Sequence, residues 1–406
     1  MQGNKIITRT IWIVSLISLF TDIASEMLYP VMPIFLKKIG FTVAMIGILE
    51  GMAEATAGIS KGYFGNLSDT LRKRVPFIRA GYGLSALSKP MMGILIAPVW
   101  IFTARAMDRV GKGLRTGARD ALLSDESSRE NKAKVFGFHR SLDTLGAAIG
   151  PMLAMLFLLI YPEQYRWLFI IAFVPGLVAV ALSFLLKDKP ATLPTTSQYP
   201  SFFAFLSYWK KSPAAYKRLV IGLLAFALFN SSDAFILLLM KEKGFSDTML
   251  IGFYVFYNVA YAILSYPVGA MADKIGLRIV LVAGLILFAT VYGSLAFVNA
   301  FAIIVLIFFF YALYASAVEG ISKALITNIA AEKDTATAIG FFTGFGSIIT
   351  LLSSSIAGLL WIAFSPRAVF IFSACGVILV VIYFAFIFLK ESTSVSEKPG
   401  SECLIG

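Results

Sequence analysis

A run of charged side chains directly follows an apolar segment, where an uncharged helix would be expected. The run lies in residues 104–125, ARAMDRVGKGLRTGARDALLSD, and the preceding segment reads MMGILIAPVWIFT. At about 100° per residue on a helix, six of its charged groups fall within roughly 120° of each other. A charge facing lipid costs at least about 2.5–3.5 kcal/mol, so this face must line a polar cavity or meet partner charges. The six residues are Arg105, Asp108, Arg109, Lys112, Arg115 and Arg119.

Carboxylates that could meet these cations occur earlier in the chain, in pairs spaced four residues apart. Asp22 and Glu26 form one pair, and Glu50 and Glu54 form another, so each pair lies on one face of a helix. Such groups can change protonation state, because burial favours the neutral form and a nearby cation favours the charged form. We therefore expect Asp22, Glu26 and Glu54 to take up and release a proton. The alternative is structural, with ion pairs that hold the helices together.

The cations of the run are the expected partners of a negative charge. We expect Arg105, Arg109 and Lys112 to bind an anionic group of a solute, and we interpret Asp108 as structural because it lies beside both arginines. Further solute contacts are expected at Glu50, Asp143, Asn230 and Asp233. Gate or structural roles are expected at His139, the only histidine, and at Arg140, Glu319 and Lys323.

The rest of the chain has the composition of a membrane protein with many spans. Of its 406 residues, 58% are hydrophobic and 14% are charged, and the mean hydropathy is +0.82. Soluble domains carry about 25% charged residues. Since about 20 helical residues cross a bilayer, the apolar runs predict an all-α membrane protein with twelve transmembrane helices. The predicted spans are residues 11–36, 43–66, 75–97, 99–122, 133–160, 166–186, 217–240, 247–271, 277–298, 301–327, 335–363 and 367–389.

Lysine and arginine are concentrated in alternate loops, on the side of the membrane that holds the N-terminus. By the positive-inside rule this predicts that the N- and C-termini are both cytoplasmic, in a multi-pass protein of the cell inner (cytoplasmic) membrane. The formal net charge of +12 follows from this asymmetry. We therefore expect the lipid bilayer, and not nucleic acid, as a partner.

A polar segment near the middle of the chain divides the spans into two groups of six. Its residues Phe202, Leu206 and Trp209 have helical spacing beside two lysines, which fits a short helix on the inner membrane face. An irregular linker is the alternative. The predicted parts are an N-terminal six-helix bundle at 1–186, the cytoplasmic linker at 187–216, a C-terminal six-helix bundle at 217–390 and a cytoplasmic tail at 391–406.

Two loops half a chain apart share one pattern, GNLSDTLRKR at residues 65–74 and GAMADKIGLR at residues 269–278. Each has a glycine, an aspartate four residues later and then a basic cluster, and each follows the second span of its half. A repeat at this spacing predicts two homologous halves. The pair resembles the loop motif of the major facilitator superfamily. The resemblance implies a conformational role, rather than solute binding, for Gly65, Asp69, Arg72, Gly269, Asp273 and Arg278.

The fifth span carries a second resemblance to this superfamily. Its sequence GFHRSLDTLGAAIGPMLA is similar to the antiporter motif of the drug/proton exporters, with Gly146, Gly150 and Pro151 in matching positions. Ala154 and Met155 replace the two glycines that end the motif. The resemblance implies a conformational role for the matching residues. Small residues four apart also permit ordinary close packing of helices, which is the alternative.

The resemblance extends to the fourth span and covers essentially the whole chain. Arg105, with Gly111 six residues later, resembles the family's span-4 arginine motif, although Arg109 stands where that motif has a glycine. The implied fold has two pseudo-symmetric six-helix halves, with a solute site near the bilayer mid-plane. The resemblance also implies a monomer.

The source of energy is expected to be an ion gradient, because no nucleotide-binding loop of the form GxxxxGK[ST] occurs. The span-5 motif favours proton-coupled efflux of a small organic solute by antiport, and the cations favour an anionic or zwitterionic one. The alternative is proton-coupled uptake, by symport, of an anionic metabolite or a carboxylate siderophore. An enzyme would need a nucleophile or metal cluster and a sensor an added soluble domain. We expect neither, and no cofactor or metal.

Overall fold

The computed structural model describes residues 6–29, 31–41, 43–188 and 201–396, and in these ranges all regular structure is helical. The predicted all-α class is therefore confirmed. The helices of the N-terminal half are α1 (Arg9–Glu26), α2 (Met32–Lys38), α3 (Val43–Thr70), α4 (Val75–Ile94), α5 (Pro98–Asp125), α6 (Lys132–Ile160) and α7 (Tyr165–Ser183). The later helices are α8 (Tyr208–Lys211), α9 (Ala214–Phe229), α10 (Ala234–Glu242), α11 (Asp247–Ile275), α12 (Leu277–Leu295), α13 (Phe301–Ile329), α14 (Thr335–Ala363) and α15 (Pro366–Ser396).

The first span of each half consists of two helices with a short break between them. The first break lies between Glu26 and Met32, and the second lies between Phe229 and Ala234. A proline occupies the first turn of α2, and the second break reads NSSD, whose side chains compete with the backbone for hydrogen bonds. The continuous first and seventh spans that the sequence predicts are therefore interrupted, at corresponding positions of the two halves.

Within the part of the chain that the structure describes, eight helical segments are long and apolar enough to cross a membrane, judged by length and composition. All lie from the fifth predicted span onward. The first four predicted spans, in α1 to α5, carry most of the charged residues within the bundle. The eight segments are Lys132–Ile160, Tyr165–Ser183, Ala214–Glu242, Gly252–Ile275, Leu277–Leu295, Phe301–Ile329, Glu332–Ala363 and Pro366–Lys390.

The two halves meet where α6 packs on α11 and where α3 packs on α14. Glycines allow these helices to approach closely. A Cβ on Gly137 of α6 would collide with the carbonyl oxygen of Ser265, and a Cβ on Gly269 of α11 would collide with that of Ala133. Glycines of α3 and α14 meet in the same reciprocal way. Close contact of small residues is a common means of packing membrane helices.

The small residues of the span-5 motif face α1. A Cβ on Gly146 would collide with the carbonyl oxygen of Leu19, and one on Gly150 would lie 2.7 Å from the backbone nitrogen of Met27. The hypothetical Cβ at Gly146 would also lie 3.0 Å from the Cβ of Asp22. The motif therefore determines how closely the acidic face of α1 approaches α6.

The described part of the predicted linker contacts the C-terminal half. Trp209 of α8 stacks on Phe341 of α14, with ring centroids 5.6 Å apart. A 3-10 helix at Ala204–Ser207 continues into α8, so the segment with helical spacing does contain a short helix. Its place on the inner membrane face stays a prediction. Residues 189–200 of the linker and 397–406 of the tail lie outside the described residues. Helix α15 continues to Ser396, past the position where the sequence predicts the start of the tail.

Candidate functional site

A cavity of about 470 Å³ opens among the helices of the N-terminal half. We refer to it as the N-half cavity. Helices α1 and α3 supply carboxylates to its wall, α4 supplies a lysine, and α5 supplies four cations and a carboxylate. The charged face of residues 104–125 therefore lies along a cavity rather than against lipid. The charged residues of the wall are Asp22, Glu26, Glu54, Lys89, Arg105, Asp108, Arg109, Lys112 and Arg115.

Asp108 lies at the centre of a buried cluster on one side of this cavity. One of its carboxylate oxygens accepts hydrogen bonds from Lys89 Nζ at 2.8 Å and from Ser85 Oγ at 3.0 Å. Arg105 lies 3.6 Å from the other oxygen. Buried charges are tolerated when opposite charges pair and hydrogen-bond, so the structural interpretation of Asp108 fits this geometry. Sequence reasoning missed Lys89, although a lysine in an apolar span, directly before Pro90, is a visible signal.

Two further cations of the α5 face meet neighbours on α3 and α4. Arg109 lies 3.6 Å from a carboxylate oxygen of Glu54. The Arg115 guanidinium lies over the ring of Tyr82, 4.7 Å from its centroid. Glu50, a predicted solute contact, is part of α3, and its side chain lies outside the described residues.

A second cavity, of about 390 Å³, lies between the two halves. We refer to it as the interface cavity. Both cavities include Asp22, Glu26, Lys112 and Arg115 in their walls. The hydroxyl of Tyr254 donates to Glu26 at 3.4 Å, so a carboxylate of the first span contacts the second half. The C-terminal half supplies Asp233, Tyr254, Tyr257, Asn258, Tyr261, Glu319, Lys323 and Thr343.

Two ion pairs join the halves beside the interface cavity. Lys323 of α13 lies 2.7 Å from Asp120 of α5, and Glu319 of α13 lies 2.6 Å from Arg140 of α6. Asp120 is 0% exposed and also lies 2.9 Å from Arg119. Sequence reasoning placed Glu319 and Lys323 on one helix face but missed Asp120, whose only signal was its place inside the charged run.

Asp143 of α6 connects the interface ion pairs to α1. Arg140 lies 2.9 Å from one of its oxygens, and Arg119 lies 4.0 Å from the other. Asp22 of α1 lies in the wall of the same interface cavity as Asp143. The predicted proton site on α1 and the predicted solute contact on α6 therefore line one space.

His139 is buried among hydroxyl groups. Its Nε2 lies 2.9 Å from Ser18 Oγ, which lies 3.1 Å from the hydroxyl of Tyr82. The side chain is 3% exposed. Arg119 reaches the same serine at 3.4 Å, so a cation is already present near the ring. This packing between α1, α4 and α6 favours the structural role over a pH switch.

The break in the seventh span holds the two predicted solute contacts of the C-terminal half. Asp233 accepts a hydrogen bond from the hydroxyl of Tyr311 at 2.6 Å. The side-chain amide of Asn230 donates to the hydroxyl of Tyr314 at 3.2 Å. Asp233 lines the interface cavity, whereas Asn230 is not among the residues of its wall. Among the described residues no group of three or more histidine, cysteine, aspartate or glutamate side chains could hold a metal ion.

The aspartates of the two loop motifs cap helices of the opposite half. Asp69 accepts from two backbone N–H groups in the first turn of α14, at 3.2 and 2.6 Å. Asp273 accepts from two in the first turn of α6, at 3.0 and 2.8 Å. Capping satisfies N–H groups that have no partner within the helix. The two halves are therefore joined at the end that holds both motifs, which we call the inner end because the sequence assigns it to the cytoplasm.

The basic residues of the two motifs have different surroundings. Arg74, rather than the predicted Arg72, lies 2.5 Å from Asp69. Burial alone would lower the pKa of Arg74, but the carboxylates of Asp69 and Asp125 outweigh it and raise the pKa above its usual value. Arg72 is exposed and has a left-handed backbone, with φ of 50°. In the second motif, the Arg278 guanidinium lies 4.9 Å from the centroid of the Phe388 ring.

The sequence matches the family model described as Major Facilitator Superfamily over residues 14–257 and again over residues 235–403. An uncharacterized MFS-type transporter of Methanocaldococcus jannaschii is 29% identical over 379 residues, which cover 92% of this chain and 93% of that protein. The quinolone resistance protein NorA of Staphylococcus aureus is 26% identical over 161 residues, or 40% of each chain.

The fold also matches solved structures. The human organic anion transporter MFSD10 superposes with a TM-score of 0.75 at 16% sequence identity. The match covers 93% of this chain and 99% of that chain. At this level of identity the likeness concerns the fold alone.

Proposed function

This chain belongs to the major facilitator superfamily, whose members are multi-pass membrane transporters of small molecules. We propose that it exports an organic solute that carries an anionic group, in exchange for protons. The strongest support is the N-half cavity, where carboxylates and cations line one space. In a site of this kind a solute and a proton can affect each other's binding directly. The proposed mechanism is alternating access, in which the two halves rock about the shared site.

Part of the charge in this cavity is offset within the protein. Asp108 pairs with Lys89 and Arg105, and Glu54 lies beside Arg109. We propose that these pairs shape the cavity and that an arriving anion competes for Arg105 and Arg109. A pair that must be broken contributes less net binding energy than a preformed cationic site, because its carboxylate loses a partner.

Lys112 and Arg115 are the cations that share both cavities with Asp22 and Glu26. When a carboxylate takes up a proton, a negative charge disappears and the cations are left in excess. An anion then binds more tightly, and by reciprocity the anion promotes proton binding. A simple anion would therefore travel with protons. A zwitterion also brings an ammonium group, which competes with the proton for the carboxylates. Export by antiport thus requires a positive group on the solute, so we propose a zwitterion as the exported form.

The carboxylates of α1 are the proposed proton carriers. Asp22 lies in the walls of both cavities, together with the cations Lys112 and Arg115. Glu26 accepts from Tyr254 in the opposite half. Separation of the halves would remove that donor from Glu26, so its affinity for a proton would change with the direction in which the protein is open.

Two further observations support export. The span-5 motif packs directly on α1, beside Asp22, and NorA, a matched relative, is named as a quinolone resistance protein. MFSD10, a structural neighbour, is named as an organic anion transporter, which agrees with an anionic group on the solute. We also propose that the protein acts as a monomer in the cell inner membrane, with both termini cytoplasmic.

Proton-coupled uptake of an anion is the second candidate. It is favoured by the pairing of carboxylates with cations in the N-half cavity, since protonation there frees a cation for an anionic solute. The two candidates differ only in the sign of coupling between the proton and the solute. That sign depends on whether the solute carries an ammonium group as well as a carboxylate.

The test is the direction of solute-driven proton movement in proteoliposomes that contain the purified protein and an internal pH dye. Matched pairs of solutes would be added outside, each pair consisting of a carboxylate and the corresponding amino-carboxylate. Protons that leave as an amino-carboxylate enters support antiport and export. Protons that enter only with the simple carboxylate support uptake. Absence of proton movement, with a solute that is demonstrably transported, contradicts both candidates.

A further inference from the structure

Lys61 of α3 lies in the wall of the interface cavity, and neither the sequence motifs nor the proposed mechanism gives it a role. It lies eight residues before Asp69, the residue that caps α14 at the inner end, which places it about 12 Å further into the bundle. Charged side chains within membrane-spanning helices are costly and mark functional sites. The cost of Lys61 therefore points to a role inside the bundle.

The ammonium group of Lys61 contacts the opposite half through a hydroxyl group. Its Nζ donates to Ser347 Oγ of α14 at 2.8 Å. The Ser347 hydroxyl donates in turn to the backbone oxygen of Thr343 at 3.1 Å, so its one hydrogen is already used and it serves Lys61 as an acceptor. The contact between the halves at this point thus consists of one charged group and one neutral group.

Close helix packing around this hydrogen bond makes it depend on the position of the two halves. A Cβ on Gly58 would lie 3.1 Å from the carbonyl oxygen of Gly344 and 3.3 Å from the Cβ of Ser347. A Cβ on Gly340 would collide with the carbonyl oxygen of Lys61. Because the backbones of α3 and α14 touch here, the hydrogen bond is made when the inner end is closed and is lost when the two helices separate.

Lys61 differs from other cations of the interface cavity in its partner. Lys323 lies 2.7 Å from Asp120, and Arg140 lies 2.6 Å from Glu319. Among the described residues no carboxylate forms an ion pair with Lys61. A carboxylate attracts an ammonium group through its charge as well as through a hydrogen bond, whereas a hydroxyl offers the hydrogen bond alone. A carboxylate that reaches the cavity can therefore replace the hydroxyl.

We propose that Lys61 binds the anionic group of the solute while the inner end is open and exchanges it for the Ser347 hydroxyl as the inner end closes. The anionic group then passes to Lys112 and Arg115, which line the same cavity. Lys61 thereby links occupancy of the site to the contact between the halves. The inference rests on the proposed function in one respect, which is that the solute carries an anionic group. It holds for export and for uptake.

The first test supplies the carboxylate from the protein itself. The readout is the labelling rate of a single cysteine at Thr116, in the wall of the interface cavity, by a membrane-impermeant maleimide applied to the full chain from the inner side. Ser347→Asp should form an ion pair with Lys61, hold the inner end closed and slow the labelling about fivefold. Ser347→Asn, which has the shape of aspartate without its charge, is the matched control and should not slow it. In Lys61→Gln/Ser347→Asp the slowing should disappear.

The second test separates solute binding from the contact between the halves. It compares Ser347→Ala, where the hydrogen bond between the halves is already absent, with Lys61→Gln/Ser347→Ala. The probes are phenylpropionate with phenylalanine and acetate with glycine, added on the inner side, and the readout is the concentration that gives half of each probe's effect on the labelling rate. This concentration should be about tenfold higher in the double variant, because one charged hydrogen bond to the solute is lost. Without a probe, the double variant should be labelled no faster than Ser347→Ala.

Two outcomes would overturn the inference. One is a labelling rate in Ser347→Asp equal to that in Ser347→Asn. The other is an equal half-effect concentration in Ser347→Ala and in Lys61→Gln/Ser347→Ala, which would leave the proposed function standing. If no probe changes the labelling of the wild type but Ser347→Asp slows it, the result supports Lys61 as a carboxylate site and counts against these solutes. If Ser347→Asp does not fold, the comparison in Ser347→Ala decides, since neither of its variants adds a charge.

Discussion

Substitution of Asp120 by asparagine should open the inner end of the molecule. Asp120 is buried between Arg119 of its own helix and Lys323 of the opposite half, at 2.9 and 2.7 Å. When the halves are joined, Asp120→Asn leaves these two cations close together without their carboxylate. When they separate, Lys323 moves away from Arg119 and the repulsion is relieved. The substitution therefore destabilises the closed inner end more than the open one.

The magnitude follows from the burial of the pair. Removal of one partner of a buried ion pair costs about 3–5 kcal/mol. This corresponds to a shift of at least about a hundredfold in the equilibrium between the closed and the open inner end, in favour of the open one. Lys323→Gln should have a smaller effect, because Asp120 keeps Arg119 as its partner. The closed inner end then loses the free energy of one charged hydrogen bond, about 1.5 kcal/mol. This shifts the same equilibrium roughly tenfold toward the open inner end.

The assay is the labelling rate of a single cysteine placed at Thr116, in the wall of the interface cavity. The native cysteines, Cys375 and Cys403, are first replaced by serine. A membrane-impermeant maleimide is applied from the inner side. Labelling should accelerate strongly in Asp120→Asn and about tenfold in Lys323→Gln. Equal rates in both variants, or a larger effect of Lys323→Gln, would refute the reasoning.

The remaining predictions concern the contacts between the halves. Asp69→Ala should raise the same labelling rate about tenfold, because loss of a helix cap costs about 1–2 kcal/mol. Asp273→Ala should act in the same direction. Unchanged labelling rates in both variants would contradict the capping role. Gly65→Ala should lower the thermal unfolding temperature, since its methyl group would collide with the carbonyl oxygen of Ala336. Gly83→Ala is the control, because no neighbouring helix has an atom within 4 Å of the new methyl group. It should leave the unfolding temperature unchanged or raise it. A similar fall in both variants would show that helix packing is not the cause.

Much of the architecture could be predicted because it depends on local properties of the chain. Apolar runs of sufficient length indicate membrane helices, and the repeated loop motif indicates two related halves. The interruptions of the first and seventh spans were harder to predict, since a short polar segment such as residues 230–233 is compatible with a continuous helix until its tertiary contacts are known. There, Tyr311 and Tyr314 supply hydrogen bonds that stabilise the break.

The site could be predicted only in part, for a similar reason. Helical spacing placed the charges of residues 104–125 on one face, and that face does line a cavity. Spacing within one helix does not indicate which charges meet across helices. Lys89 and Asp120 acquire their partners from helices distant in sequence, and Asp69 and Asp273 cap helices of the opposite half. These contacts depend on the packing of the whole bundle.

The most direct test of the proposed function is proton coupling in Glu26→Gln. In proteoliposomes, exchange of labelled for unlabelled solute without a pH gradient should persist, because Asp22 still offers a carboxylate to the ammonium group and the cations of the N-half cavity are unchanged. Solute accumulation driven by a pH gradient should be lost, because glutamine cannot carry the proton. Glu163→Gln, an exposed carboxylate paired with Lys38, is the matched control and should retain both activities. Full pH-driven accumulation in Glu26→Gln would contradict the proposal that this carboxylate carries the coupling proton.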